Sequence, residues 1–116
     1  MSKVCIAGSR NWNNYEELKE MMEVVREEVN ITTIVSGTAL GGDKLGERWA
    51  KENNIPVEQY PANWVLHGKS AGYKRNEIMA DIADVLVIGI KNKSKGSTHM
   101  YNIMDKMGKP IYLRRV

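Results

Sequence analysis

Short apolar, β-branched runs alternate with amphipathic segments of about eleven residues along most of the chain, and this alternation limits its fold more than any other feature. Lys3–Ala7 (KVCIA), Thr32–Ser36 (TTIVS), Pro56–Tyr60 (PVEQY), Asp84–Ile90 (DVLVIGI) and Ile111–Leu113 read as strands. The third is expected at a sheet edge, because Pro56 cannot donate to a ladder. Between the strands, apolar residues recur at spacings of three and four. Tyr15, Leu18, Met22, Val25 and Val29 form the first such stripe, behind Asn13 or Asn14 as N-cap. Asp43 is expected to cap a second helix running to about Asn54, with Leu45 and Trp49 one turn apart. A third helix spans Tyr73 to Ala83 and buries Ile78, Met79 and Ile82. The last, capped by Ser97 or Thr98, carries Met100, Ile103, Met104 and Met107 and stops at Gly108-Lys109-Pro110. Ala62–Gly72 has neither period and reads as a long loop. Strand–helix alternation implies βαβ crossovers, hence a three-layer α/β architecture: a parallel sheet of about five strands with helices on both faces.

At 116 residues, 42% hydrophobic and 27% charged, the chain is sized for one domain spanning 1–116. Cys5 is the single cysteine, so an internal disulfide is impossible, and with two histidines and no Cys/His cluster no zinc ribbon or finger can form. No metal or resident cofactor is expected. No apolar run approaches the roughly 20 residues of a membrane span, and Met1–Arg10 lacks the basic start and apolar stretch of a signal peptide, so a cytoplasmic protein without membrane contact is expected.

The net charge of +3 is mild but unevenly spread. Residues 1–64 carry 7 basic and 10 acidic side chains, a balance of −3, and residues 65–116 carry 10 basic and 4 acidic, a balance of +6. In an open parallel sheet, ligands bind beyond the carboxyl ends of the strands. The loops expected there hold Gly8-Ser9-Arg10, Ser36-Gly37 through Gly41-Gly42-Asp43, Asn63 to Gly72 with Arg75-Asn76 just inside the next helix, and the lysine-rich turn that ends in Gly96-Ser97-Thr98. Three of these groups join a glycine-containing loop to a helix start, where free N–H groups and the positive end of the helix dipole favour an anion. Arg10, Lys69 and Arg75 add cations, and the serine and threonine hydroxyls add hydrogen bonds, as a phosphorylated ligand requires. The stretch Gly37-x3-Gly41-Gly42-Asp43-Lys44 lacks P-loop spacing, and no G-x-G-x-x-G follows the first strand, which argues against a Mg-dependent ATPase.

Six groups in order, Gly8-Ser9-Arg10-Asn11-Trp12, Ser36-Gly37-x3-Gly41-x-Asp43-x-Leu45-x3-Trp49-Ala50, Pro61-Ala62-Asn63-Trp64, Gly68-Lys69-x-Ala71-Gly72-x2-Arg75-Asn76-x2-Met79, Ala83-Asp84 and Ser94-x-Gly96-x-Thr98, resemble the YspA-related branch of the SLOG superfamily. That superfamily consists of Rossmann-like nucleotide-binding domains and includes the cytokinin-activating phosphoribohydrolases and the DNA-processing protein DprA. The resemblance implies a site for a phosphorylated nucleoside or ADP-ribose-like molecule, and a homo-oligomer. In it Gly8, Ser9 and Arg10 form one ligand loop, Ser36, Gly37, Gly41 and Asp43 a second, Arg75 and Asn76 a third, and Gly96 and Thr98 the phosphate turn, with Lys69 as a further phosphate contact. The chain departs from the pattern at Leu40, where a basic residue is common, at Asn63, where the family has aspartate, and at Tyr73 in place of a proline. No glutamate follows Thr98, where the phosphoribohydrolases carry one; His99, Met100, Tyr101 and Asn102 stand there instead.

Breaking an N-glycosidic bond normally needs a carboxylate. Asp43, Glu47 and Glu77 are the candidates, with Asp81 expected to face solvent. His67 and His99 are loop or near-loop histidines able to titrate near neutrality, Trp12 and Trp64 are rim aromatics suited to stacking on a base, and Trp49 and Cys5 are expected in the core. The favoured reading is a domain that senses or sequesters a nucleotide. A hydrolase of such a molecule is the first alternative and a nucleic-acid-binding module the second.

Overall fold

The computed structural model describes residues 1–92 and 94–116; Lys93, part of the lysine-rich turn, lies outside them. The chain runs β1 (Ser2–Gly8), α1 (Tyr15–Glu28), β2 (Ile31–Ser36), α2 (Gly42–Glu52), β3 (Val57–Gln59), α3 (Trp64–His67), a 3₁₀ turn (Gly68–Ser70), α4 (Ala71–Ile82), β4 (Val85–Ile90), α5 (Lys95–Lys106) and β5 (Ile111–Arg115). All pairings are parallel and the sheet order is β3-β2-β1-β4-β5, so the short strand after Pro56 is indeed an edge. The expected α/β, Rossmann-like arrangement is present.

Alternation along the central strands divides the core. Val4 and Ile6 of β1, with Val85 and Val87 of β4, pack against Leu18, Met22 and Val25 of α1 and Trp49 and Ala50 of α2. Cys5, Ala7, Leu86 and Ile88 point the other way, onto Met79 and Ala80 of α4 and Met100 and Met104 of α5. Every residue of β4 is buried, as its apolar run predicts for a strand covered on both faces.

Several local expectations are corrected. Asn14 caps α1, its Oδ1 accepting from Glu17 N–H at 3.3 Å, but Asp43 does not cap α2. Gly41 stands at that position, and Asp43 lies inside the first turn. Gly41 has φ +79°, and a Cβ on it would come within 2.0 Å of the Ser9 carbonyl oxygen; one on Gly42 would meet Gly8 N at 2.4 Å. Only glycine lets α2 begin this close to the end of β1. The loop expected over Ala62–Gly72 is instead α3, capped by Asn63 Oδ1 accepting from Leu66 N–H at 3.0 Å, then the 3₁₀ turn and the start of α4. Four residues are too few to display a period. Ser94, not Ser97 or Thr98, stands at the N-cap position of α5, without a side-chain capping hydrogen bond. Ile78 and Met107, expected inside, are about half exposed.

Among the described residues no helix is long and apolar enough to cross a membrane.

Candidate functional site

The helices that follow β1 and β4 leave on opposite faces although the strands are neighbours, so their carboxyl ends open a crevice. A cleft of about 1020 Å³ lies there. The loops after β1, β2 and β4, the α3 segment and the first turns of α4 and α5 enclose it.

Ser9 closes the floor. Its N–H donates to the Gly89 carbonyl (3.0 Å), its Oγ accepts from Lys91 N–H (2.8 Å), and its hydroxyl donates to the Lys91 carbonyl (3.3 Å), joining the β1 and β4 loops. Below it, Gly8 and Gly89 face each other across the two strands, and the Trp12 indole lies over both. A Cβ on either glycine would stand 2.6 Å from Trp12 Cε3. Trp12 is only 2% exposed and its Nε1–H donates to Glu17 Oε1 at 3.3 Å. The expectation that Trp12 stacks on a ligand is therefore wrong; the indole is structural support for the crevice.

The β2–α2 loop forms the next wall. Thr38, a β-branched residue, sits at φ +66°, a conformation that surrounding contacts must impose. Ser36 Oγ accepts from Thr38 N–H (3.1 Å) while donating to Glu47 Oε2 (2.6 Å), and Asp43 Oδ2 accepts from Ala39 N–H (3.0 Å). Ser36 and Glu47 thus shape the loop from behind and do not line the cleft, whereas Asp43 does. Burial pushes the Asp43 carboxyl up to about 6, against the opposing pull of the Ala39 hydrogen bond and the Arg75 charge. Burial acts the same way on Glu47, but hydrogen bonds from Ser36 and Gln59 and the Lys44 charge bring it below its ordinary value.

Arg75 spans the cleft from α4. Its Nη1 donates to the Gly37 carbonyl and its Nε to Asn76 Oδ1 at 3.1 Å, while Nη2 and the Trp64 ring edge flank Gly72. Trp64 is 55% exposed and lines the mouth, so it remains available to stack where Trp12 is not. On the far side the first turn of α5 contributes Lys95, Gly96 and Ser97, with Ser94 Oγ donating to Ser97 Oγ at 3.0 Å.

Of the residues singled out by sequence, Gly8, Ser9, Arg10, Gly37, Asp43, Trp64, Lys69, Arg75, Asn76, Gly96 and Ser97 line the cleft. Gly41, Gly42 and Thr98 do not: the first two set the approach of α2 to β1, and Thr98 lies on the exposed side of α5. Glu77 and Asp81 are exposed and His67 lies outside the cleft. Thr38 and Tyr73 also line it without having been assigned from the sequence, and Lys91 and Lys95, expected beside the pocket as part of the basic turn, line it as well. The two lysines were readable as a basic turn, but a left-handed threonine leaves no local signal. Among the described lining residues the cations Arg10, Lys69, Arg75, Lys91 and Lys95 face the single carboxylate of Asp43. Such an enclosure favours an anion. Cys5 is buried behind it, and burial raises its thiol far above the ordinary range. Among the described residues no group of three His, Cys, Asp or Glu side chains is placed to hold a metal ion.

A Rossmann-like sheet with a cationic cleft at its topological switch point defines the class. Within that class the chain belongs to the YspA, cpYpsA-related SLOG family, whose model matches residues 2–67. It is 32% identical over 119 aligned residues to the Gene 61 protein of Mycobacterium phage D29, covering 96% of this chain and 94% of that protein. Its fold is similar to that of DNA processing protein A (DprA) from Streptococcus pneumoniae, with TM-score 0.75 at 19% identity, covering 97% of this chain and 50% of DprA. The chain thus spans half the length of that neighbour, and the likeness shows the shared fold.

Proposed function

We propose that the cleft binds a phosphorylated nucleoside or ADP-ribose-like nucleotide, and that residues 1–116 work as one sensing or sequestering unit. The observation that carries the reading is the charge of the cleft: Arg10, Lys69, Arg75, Lys91 and Lys95 around one carboxylate, beside the positive end of α5. The phosphate is assigned to the first turn of α5 with Lys91 and Lys95. The base is assigned to the mouth, between Trp64 and Tyr73, where an aromatic face can stack on it. A cleft of about 1020 Å³ has room for a mononucleotide and for a longer, ADP-ribose-like molecule.

One observation supports hydrolysis as a second reading. Asp43, raised to about 6 inside the cleft, has the acidity of a general acid or base near neutral pH. Glu47 and Glu77 lack access to the same space.

The test is a panel of nucleoside monophosphates, ADP-ribose and the corresponding free nucleosides, read by thermal shift and by product mass. Binding of the phosphorylated members alone, unchanged in mass, supports the sensor; free base with ribose phosphate supports the hydrolase. Lys95→Ala should weaken binding without unfolding the protein, because Lys95 is exposed at the head of α5. Equal binding of nucleosides and nucleotides would overturn the phosphate assignment.

A further inference from the structure

Asn76, on α4, is 6% exposed and stands where that helix meets the first turns of α5. Its side chain has three neighbours: Arg75 Nε at 3.1 Å from Oδ1, and the Gly96 carbonyl and His99 Nδ1, each 3.2 Å from Nδ2. Two of these neighbours have only one possible role. The Arg75 guanidinium can only donate, and the Gly96 carbonyl can only accept. Together they fix the amide, with Oδ1 toward Arg75 and Nδ2 toward Gly96 and His99. Nδ2 can only donate, so His99 Nδ1 must accept. That requires a neutral imidazole with its proton on Nε2.

We propose that His99 and Asn76 are positioning residues, a two-step relay in which the Nε2–H tautomer of His99 locks the Asn76 amide and thereby holds Arg75 and the α5 turn in register across the cleft. His99 does not line the cleft; it acts through Asn76. The ring is itself held, packing edge-on against Tyr73 with centroids 4.5 Å apart. Tyr73 and Glu77, both on α4, are the titratable groups that face it, and Lys95 lies one turn earlier on its own helix. Burial favours the neutral ring and outweighs the opposing Glu77 charge. The sequence stands out here for a physical reason: an imidazole on the third position after Gly96 can receive a hydrogen bond from α4, whereas an ionised carboxylate could accept but would add negative charge behind the phosphate turn.

The relay rests on the nucleotide reading for its purpose but not for its existence, and the test separates the two. Imidazole ¹⁵N NMR of the free protein at pH 8 should show His99 as the Nε2–H tautomer, and Asn76→Ala should return the ring to a mixture. At the same pH, adenosine 5′-monophosphate should bind His99→Leu roughly tenfold more weakly than wild type, as expected from losing one hydrogen bond that orders the site. His99→Asn, whose Oδ1 can take the place of Nδ1 as acceptor, should restore most of the affinity. A free-protein spectrum showing Nδ1–H would overturn the relay whatever binds, as would equal weakening by the leucine and asparagine variants. Absence of binding to wild type would instead overturn the nucleotide reading, with the tautomer still deciding the relay.

Discussion

Replacing Asp43 with asparagine should stabilise the protein at neutral pH and leave it unchanged in acid. The carboxyl is 6% exposed and burial raises it from an ordinary 3.8 to about 6. Below about pH 4 the folded and unfolded chains both hold the proton, and there is no penalty. Between about pH 4 and 6 the unfolded chain has ionised while the folded one has not, so the unfolded state binds fewer protons and stability falls as pH rises. Above about pH 6 the full difference applies. At about 1.4 kcal/mol per pH unit it amounts to about 3 kcal/mol, a large share of the roughly 5–15 kcal/mol that holds a domain together. The asparagine amide would keep an oxygen for the Ala39 N–H without the buried charge. With a urea m-value of about 2 kcal/mol per M, the midpoint of Asp43→Asn should exceed that of wild type by about 1.5 M at pH 7.5, and the two should converge at pH 4. Urea melts followed by tryptophan fluorescence at four or five pH values would measure this. A difference independent of pH, or a wild type more stable at pH 7.5, would show that the buried charge carries no such cost.

Two further substitutions test the frame around the cleft. Trp12→Ala removes an indole that is 2% exposed and laid over Gly8 and Gly89, so unfolding should become easier by about 3 to 5 kcal/mol, read as a fall in urea midpoint at unchanged slope. Lys109→Met removes an ammonium that donates to the carbonyls of Ala80, Asp81 and Ala83 at 2.6, 3.1 and 2.7 Å, closing the carboxyl end of α4. A loss of about 1 to 2 kcal/mol is expected, with faster amide exchange confined first to the end of α4; uniform acceleration across the chain would contradict a local cap.

The architecture was legible because each core strand obeys its own local rule. The β4 run is apolar throughout since it is covered on both faces, and the α1 stripe repeats at helical spacing since one side meets the sheet. The cationic rim was legible too, through Arg10, Lys69, Arg75 and the lysine-rich turn. What escaped depends on contacts between distant residues. Trp12 looks like a rim aromatic until Gly8 and Gly89 are seen to be register partners that leave room for an indole. Gly41 and Gly42 look like ligand-loop glycines, yet the backbone at the end of β1 explains Gly42, and that of Ser9-Arg10 just after it explains Gly41. Thr38 gives no sign of its left-handed backbone, which the Ser36 hydroxyl and the Asp43 carboxylate support from either side. Helix starts were misplaced by two to four residues where serine, threonine or aspartate recur, because the composition of a cap does not identify which residue occupies it.

Everything proposed for function depends on a nucleotide occupying the cleft at the carboxyl ends of β1 and β4. Titrating ¹⁵N-labelled protein with adenosine 5′-monophosphate and following backbone amides and the Trp64 indole N–H tests it residue by residue. Shifts should cluster at Gly8–Asn11, Gly37–Ala39, Gly72–Asn76 and Gly96–Ser97, and leave Arg26–Ile31, outside the cleft, unmoved. No shifts at millimolar nucleotide, or shifts centred on Arg26–Ile31, would contradict this placement of the ligand.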